Sequence, residues 1–312
     1  MRFQPLASCF FALLGEAAAD SLRSVLSSRS SFSDLYNVLH FHDLLKDIDR
    51  IQNATYFAPN NDALKYLADF GINLTTADPS IARALLYYGL IDGQHSVESI
   101  LQDDDIQLVQ SALHPPLFTN VTDGQALKLR TKRNGEHSTV VLETGLQVLT
   151  KLVETDIRFD HGVLHGTSTN MVLPHNISET LNLGNLHEFL RLVKVTDLVP
   201  ELESLADVTF LFPHDKAIQK LRPVLDILSP IQLAAFVRNH AIPNHVLYGK
   251  VIGSANKTLQ TVAGGSATIR RYGKGQAYVN DIPIVREDIL IYGGVAHIVD
   301  DVLFPDPREF PH

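Results

Sequence analysis

Three blocks of this 312-residue chain occur twice in the same order, and that repetition limits the fold more than any other feature. The first block is Asn53-Ala-Thr-Tyr-Phe-Ala-Pro-Asn-Asn-Asp-Ala-Leu64. It is answered by Asp207-Val-Thr-Phe-Leu-Phe-Pro-His-Asp-Lys-Ala-Ile218, with Thr55, Pro59 and Ala63 opposite Thr209, Pro213 and Ala217. The second block opens helical patterns at Asp78-Pro79 and Ser229-Pro230. Each supplies a capping side chain followed by proline at the first helical position, where its missing N–H costs nothing. The third sets Asp156-Ile157 and Gly162-Val-Leu-His165 against Asp288-Ile289 and Gly294-Val-Ala-His297, with aspartate and histidine nine residues apart in both. The chain reads as two copies of a unit of roughly 130 to 150 residues, each large enough to bury its own core.

Each unit reads helices first and strands after. In the first, Ser33-Asp34 is positioned to cap a helix carrying Leu35, Val38 and Leu39, and Leu44, Leu45 and Ile48 extend the apolar pattern. Strand-like alternation follows at 126–130, then a turn at Asn134-Gly135 and a second strand at 140–142. The second unit repeats this with Leu186, Leu190 and Val193 on a helix and strands at 268–270 and 278–279. Segregated helices and strands predict an α+β class with a largely antiparallel sheet. Pro79 to Gly162 spans 83 residues but Pro230 to Gly294 only 64. The surplus of 19 is assigned to the polar stretch 103–125, which holds Pro115-Pro116 and is expected to be an exposed, elaborated loop.

The N-terminus points to secretion. One early arginine, an apolar run from Leu6 to Leu14 and the small residues before Asp20 describe a signal peptide over 1–19, the alternative being an amphipathic first helix. Cleavage after Ala19 removes Cys9, the single cysteine, and leaves no thiol for a nucleophile or a disulfide. Asn-x-Ser/Thr occurs at Asn53, Asn73, Asn120, Asn176 and Asn256, where chance gives about two, so a glycoprotein is expected. The net charge of −9, with the longest basic cluster at Lys128, Arg130, Lys132 and Arg133 in alternating sequence, argues against a nucleic-acid surface. Beyond the leader no apolar run reaches the ~20 residues that span a membrane. The segments expected are a leader at 1–19, domains at 20–175 and 176–306, and a tail at 307–312.

These blocks resemble the fasciclin-like adhesion domain family, in tandem. The family's first signature, Thr-x-Phe-Ala-Pro-Thr-Asn-x-Ala-Phe, is followed closely by Thr55 to Leu64 and loosely by Thr209 to Ile218. Its second, Gly-Val-x-His-Val-Ile-Asp-x-Val-Leu-x-Pro, is similar to Gly294-Val-Ala-His-Ile-Val-Asp-Asp-Val-Leu-Phe-Pro305 throughout; the Gly162 copy is one residue longer and more polar. The resemblance implies two domains, each a mostly antiparallel β wedge with helices packed on it. It also implies non-catalytic adhesion outside the cell without cofactors, with Thr55, Pro59, Thr209, Pro213, His165 and His297 as structural signature residues. An Asp-Ile pair assigned to integrin binding in animal relatives lands on Asp156-Ile157 and Asp288-Ile289. The family's Tyr-His pair is split, Tyr88 standing before Gly89 and His240 after Asn239. A carboxylate beside an apolar side chain suits a partner's divalent cation and an adjoining pocket. The alternative puts Ile289 in the core and Asp288 at a cap or turn.

His165 and His297, equivalent and set in apolar strand sequence, are expected to be neutral imidazoles that donate from one nitrogen and accept at the other, tying loops together. His40-x-His42 and His161-x3-His165 have metal-like spacing but lack a surrounding zinc motif, and Asp103-Asp104-Asp105 lacks the spaced ligands of a calcium loop, so no metal is expected. There is no Gly-x-Ser-x-Gly elbow and no phosphate-binding glycine loop. The reading is a secreted adhesion or matrix glycoprotein, not an enzyme. Its expected partner is a cell-surface receptor, matrix protein or wall polysaccharide, or another copy. A hydrolase or small-ligand carrier using His161, His165 and His297 in an inter-unit groove is the alternative, and a vacuolar or lysosome-like lumen is the alternative location.

Overall fold

The computed structural model describes residues 20–50, 52–102, 106–134, 137–253, 256–273 and 275–304. The leader, the Asp103 to Asp105 run, Gly135 of the expected turn, Pro305 and the tail at 307–312 lie outside the described residues. The first unit runs α1 (Leu22–Ser28), α2 (Ser33–Phe41), α3 (Leu45–Ile48), β1 (Ala54–Pro59), α4 (Asn61–Asp69), α5 (Pro79–Tyr88), β2 (Leu90–Asp92), α6 (Val97–Gln102) and then β3 (Gln107–Gln110), β4 (Ala126–Asn134), β5 (His137–Glu143), β6 (Leu149–Phe159) and β7 (Gly162–Thr167). The second runs α7 (Ile177–Leu183), α8 (His187–Val195), α9 (Val199–Glu203), β8 (Val208–Pro213), α10 (Asp215–Leu225), α11 (Pro230–Arg238), β9 (Ala241–Ile242), β10 (Lys257–Gln260), β11 (Ser266–Arg271), β12 (Ala277–Val279), β13 (Ile282–Ile291) and β14 (Gly294–Val299). The two sheets have matching orders, β2-β1-β7-β6-β5-β4-β3 and β9-β8-β14-β13-β12-β11-β10.

All pairings are antiparallel except one in each unit, where the first-block strand lies parallel to the last strand: β1 on β7 and β8 on β14. Sequence pattern misses these first-block strands because they are buried along their whole length and so show no alternation. Their two faces still separate. Tyr56 and Ala58 join the helices of α1, α2 and α5 in one core, while Phe57 joins Leu127, Leu129 and Leu142 in a second core on the other face. In the second unit Phe210 and Phe212 enter the helical core and Leu211 the opposite one. The close parallel pairing explains the signature glycines, since a Cβ on Gly162 or Gly294 would stand 2.0 Å from the carbonyl oxygen of Ala54 or Val208.

The proline-led helices are capped by their own sequence. Asp78 accepts from Ser80 N at 2.8 Å, and Ser229 forms a reciprocal capping box with Gln232. The start of α2 differs from expectation: Ser33 is its first helical residue rather than its cap. The Asp34 N–H donates instead to Asn61 Oδ1 at 3.1 Å, and at the matching place the Glu188 N–H donates to Asp215 Oδ1 at 3.0 Å. The signature residue after the proline strand thus caps a helix about 27 residues earlier, which no local pattern can reveal. The apolar pattern does not run unbroken through Leu45 either, because Asp43 takes a left-handed φ of 54° between α2 and α3. The stretch 103–125 is not all loop, since β3 pairs with β4; what remains at 111–125 lies partly against the second unit.

Candidate functional site

The same hydrogen-bond network is built in both units around the signature threonine and histidine. In the first, Thr55 Oγ1 donates to the Gly93 carbonyl at 2.7 Å and accepts from the His95 N–H at 2.8 Å. His165 accepts the Asp156 N–H on Nδ1 at 3.3 Å and, with its proton on Nε2, donates to the His95 carbonyl at 2.8 Å. Asp156 Oδ1 then accepts the Val97 N–H at 3.0 Å. In the second unit Thr209 joins the His245 carbonyl and the Leu247 N–H, His297 joins the Asp288 N–H and the Leu247 carbonyl, and Asp288 Oδ1 accepts from the Gly249 N–H at 2.7 Å. Each network pins the segment after the second strand onto the central strands. Both histidines are fully buried, and loss of hydration holds their pKa below the usual 6.5, in keeping with the neutral form this geometry requires.

The aspartate of each Asp-Ile pair sits in a β-bulge, where the register of the last two strands slips between Glu154 and Ile157 and between Arg286 and Ile289. Its backbone is left-handed, with φ of 58° at Asp156 and 59° at Asp288, a conformation aspartate tolerates better than most residues. Ile157 and Ile289 point into the helical cores and are buried. The carboxylates differ in surroundings. Asp156 is exposed beside a cleft of about 510 Å³ that Arg29 and Arg158 also line, whereas Asp288 is 6% exposed.

The first unit covers Asp288. Lys128, 2% exposed, donates from Nζ to the Asp288 carbonyl at 2.5 Å and pairs with the equally buried Glu143, which also holds Arg130. Gln147 Nε2 donates to the Glu287 carbonyl at 3.3 Å, and Gln125 Nε2 to the Ile291 carbonyl at 3.0 Å. Ala126 packs with Tyr248, Leu290 and Val295 in a small apolar cluster across the junction. Lys128, which read as one of four basic strand residues, is therefore a junction residue. Sequence offered no sign of this, since Lys128 alternates with Arg130 and Lys132 as a solvent-facing residue would.

The remaining candidates are placed as follows. Tyr88 is fully buried and donates to the Ala126 carbonyl at 3.1 Å. His240, also fully buried, bonds the Phe236 carbonyl through Nδ1 and accepts the Leu303 N–H on Nε2, while Asn239 Nδ2 donates to the Leu303 carbonyl. Tyr88 thus anchors the start of β4 and His240 the segment that follows β14, and neither offers a surface to a partner. In the first unit Gly89 stands where His240 would, and a Cβ there would meet the Met171 methyl at 2.6 Å. Pro59 and Pro213 end the buried first-block strands. His161 is half-exposed, 3.7 Å from Asp160, and does not share a network with His165 or His297. Among the described residues no three histidine, cysteine or acidic side chains are grouped as a metal would need. Asn53, Asn73 and Asn256 are exposed and Asn120 and Asn176 half-buried.

The fasciclin domain family matches this chain twice, over residues 30–173 and 184–305. Fasciclin-like arabinogalactan protein CTB11 of Cercospora beticola is 49% identical over 295 residues, covering 94% of this chain and 79% of that protein. Fasciclin-like arabinogalactan protein elcF of Phaeosphaeria nodorum is 38% identical over 292 residues, covering 94% and 91%. Among solved structures, a FAS1 domain pair from the insect cell adhesion molecule fasciclin I aligns over 90% of this chain and 99% of its own, with 18% identity and a TM-score of 0.43.

Proposed function

The chain belongs to the fasciclin family as a tandem pair of domains, and on that premise we propose that it is a secreted, glycosylated, non-catalytic adhesion protein of the cell surface, matrix or wall. The name shared by the two fungal relatives, fasciclin-like arabinogalactan protein, supports a wall or extracellular setting. A leader over 1–19 followed by domains at 20–175 and 176–306 fits that route, and glycans on the five sequons would stand on exposed or half-buried asparagines. The contact surface we assign is the Asp156 turn of the first unit, engaging a receptor, matrix protein or wall polysaccharide.

One observation carries this reading. The residue types capable of chemistry in both signatures, Thr55, His165, Thr209 and His297, are buried and committed to backbone hydrogen bonds, while the Asp156 carboxylate beside them is open to solvent. A buried imidazole with both nitrogens engaged cannot serve as a general base. The test is expression from the native gene with its own leader, followed by binding of the purified product to cell surfaces and to an insoluble wall fraction. A product in the medium whose mass falls on N-glycan removal, and which binds less when Asp156→Ala is introduced, is the expected result. An intracellular product, or one that binds no surface, would overturn the proposal.

A further inference from the structure

The surplus loop of the first unit completes a second cleft that exists only because the two units are joined. Phe118 comes from that loop, Leu173 and Pro174 from the connection between units, and Glu179, Glu203 and Tyr292 from the second unit; together they border a space of about 430 Å³, within the range of small-ligand sites. The assembly is held by backbone bonds. The Asn120 N–H donates to the Tyr292 carbonyl at 2.8 Å and the Tyr292 N–H to the His175 carbonyl at 2.8 Å. The Asp207 carboxylate fastens the same loop by accepting from the Thr122 N–H at 2.8 Å and from its hydroxyl. Phe118 itself has a left-handed φ of 49°, costly for an aromatic residue, and the residue remains 37% exposed. The backbone therefore holds an apolar ring in solvent at the mouth of the cleft.

The polar lining is one-sided. Glu179 and Glu203 have no ion pair and no side-chain hydrogen bond among the described residues, and no lysine or arginine borders the space. His175 spends its Nδ1 proton on the Leu173 carbonyl at 2.9 Å, which leaves Nε2 as a further acceptor. The junction cleft around Lys128 differs, because its arginines and carboxylates already pair with one another, Arg130 with Glu143 and Arg271 with Glu287. Two unpaired carboxylates flanked by Phe118 and Tyr292 favour a positive charge through both Coulomb attraction and the aromatic faces. The net charge of −9 draws cations toward the molecule as a whole.

We propose that this inter-unit cleft binds an organic cation, a primary ammonium or guanidinium carried on an apolar stem, with Glu179 and Glu203 taking the charge and Phe118 and Tyr292 the stem. The site is separate from the Asp156 turn and stands whether or not adhesion does; because the Asn176 sequon also borders the cleft, the titrations use chain freed of N-glycans. Calorimetric titration of the whole chain with 1,5-diaminopentane and with a blocked lysine amide tests it, using 1-pentanol as the uncharged control. Binding of either amine that weakens with added salt, and that falls about tenfold or more in the Glu179→Gln/Glu203→Gln variant with unchanged Tm, is the expected result. Phe118→Leu should lower affinity a few-fold, on the order of 3-fold, through the loss of the aromatic face. Binding of the diamine identifies free amines as sufficient, and binding of the blocked lysine alone identifies a protein side chain; both uphold the site. Equal binding of pentanol, unchanged binding by the double variant, or no amine binding up to about 10 mM overturns it.

Discussion

Asp156 and Asp288 occupy the same bulge, bond the same histidine nitrogen and cap the same following segment, yet the first faces solvent and the second lies beneath Lys128 and Gln147 of the other unit. Repetition of a sequence motif therefore does not repeat its accessibility. In the amino-terminal unit the network stabilises a turn and leaves its carboxylate available. In the carboxy-terminal unit the identical network becomes part of the joint between domains. The unit that carries the more faithful copy of the second signature has the less accessible aspartate.

The contrast breaks most severely at Lys128. Replacing it with alanine leaves buried Glu143 with only the half-exposed Arg130 as countercharge and frees the Asp288 carbonyl, so we expect a loss of about 3 kcal/mol in denaturant unfolding. A substitution at the open counterpart, Asp156→Ala, should cost only ~1 kcal/mol, as for the loss of a capping side chain. A difference between these two variants smaller than the error of the measurement would remove the joint from the account.

Acid sharpens the comparison next. Burial pulls the His240 imidazole down to about 4 from 6.5, and Gly89 holds the matching place in the first unit. Between those values the folded chain binds fewer protons than the unfolded chain, so this stabilisation is complete above about pH 6.5 and is lost as pH falls toward about 4. Its full extent is about 3 kcal/mol. His165 and His297, also shifted down, add acid sensitivity of the same sign to both units. His240→Gln should flatten the dependence of the urea midpoint on pH in this window; an unchanged slope would show that His240 is not a source of the acid loss.

Smaller effects should be equal in the two units. Thr55→Val and Thr209→Val each remove the hydroxyl that serves one N–H and one carbonyl in the shared network and should each cost about 1–3 kcal/mol. Costs that differ by more than ~1 kcal/mol would mean that the matching geometry hides unequal roles.

Local chemistry made much of this fold legible. Asp78-Pro79 and Ser229-Pro230 announced their helices because cap and proline are adjacent, and the equal spacing of Asp and His in the third block announced a repeated unit with its histidines in strand sequence. Residues whose purpose lies far along the chain were silent. Asn61 and Asp215 carry no local sign of their role, because each caps a helix that precedes it by about 27 residues, and β1 and β8 show no alternation because both faces are buried. Lys128 was least legible of all. A lysine in an amphipathic-looking strand reads as solvent-facing; Glu143 stands opposite it on β5 of its own unit, and only the packing of one unit on the other buries the pair and adds the Asp288 carbonyl. The stretch 103–125 read as a free loop for the same reason, since Tyr292 and Asp207, which hold it, belong to the other unit.

Carbodiimide labelling of carboxylates, quantified by mass spectrometry on the native chain, tests the open-and-closed distinction most directly. Asp156 should be modified at least about tenfold faster than Asp288, and Lys128→Ala, under conditions where it remains folded, should raise labelling at Asp288 while leaving Asp156 unchanged. Equal labelling of the two aspartates in the native chain would contradict the account.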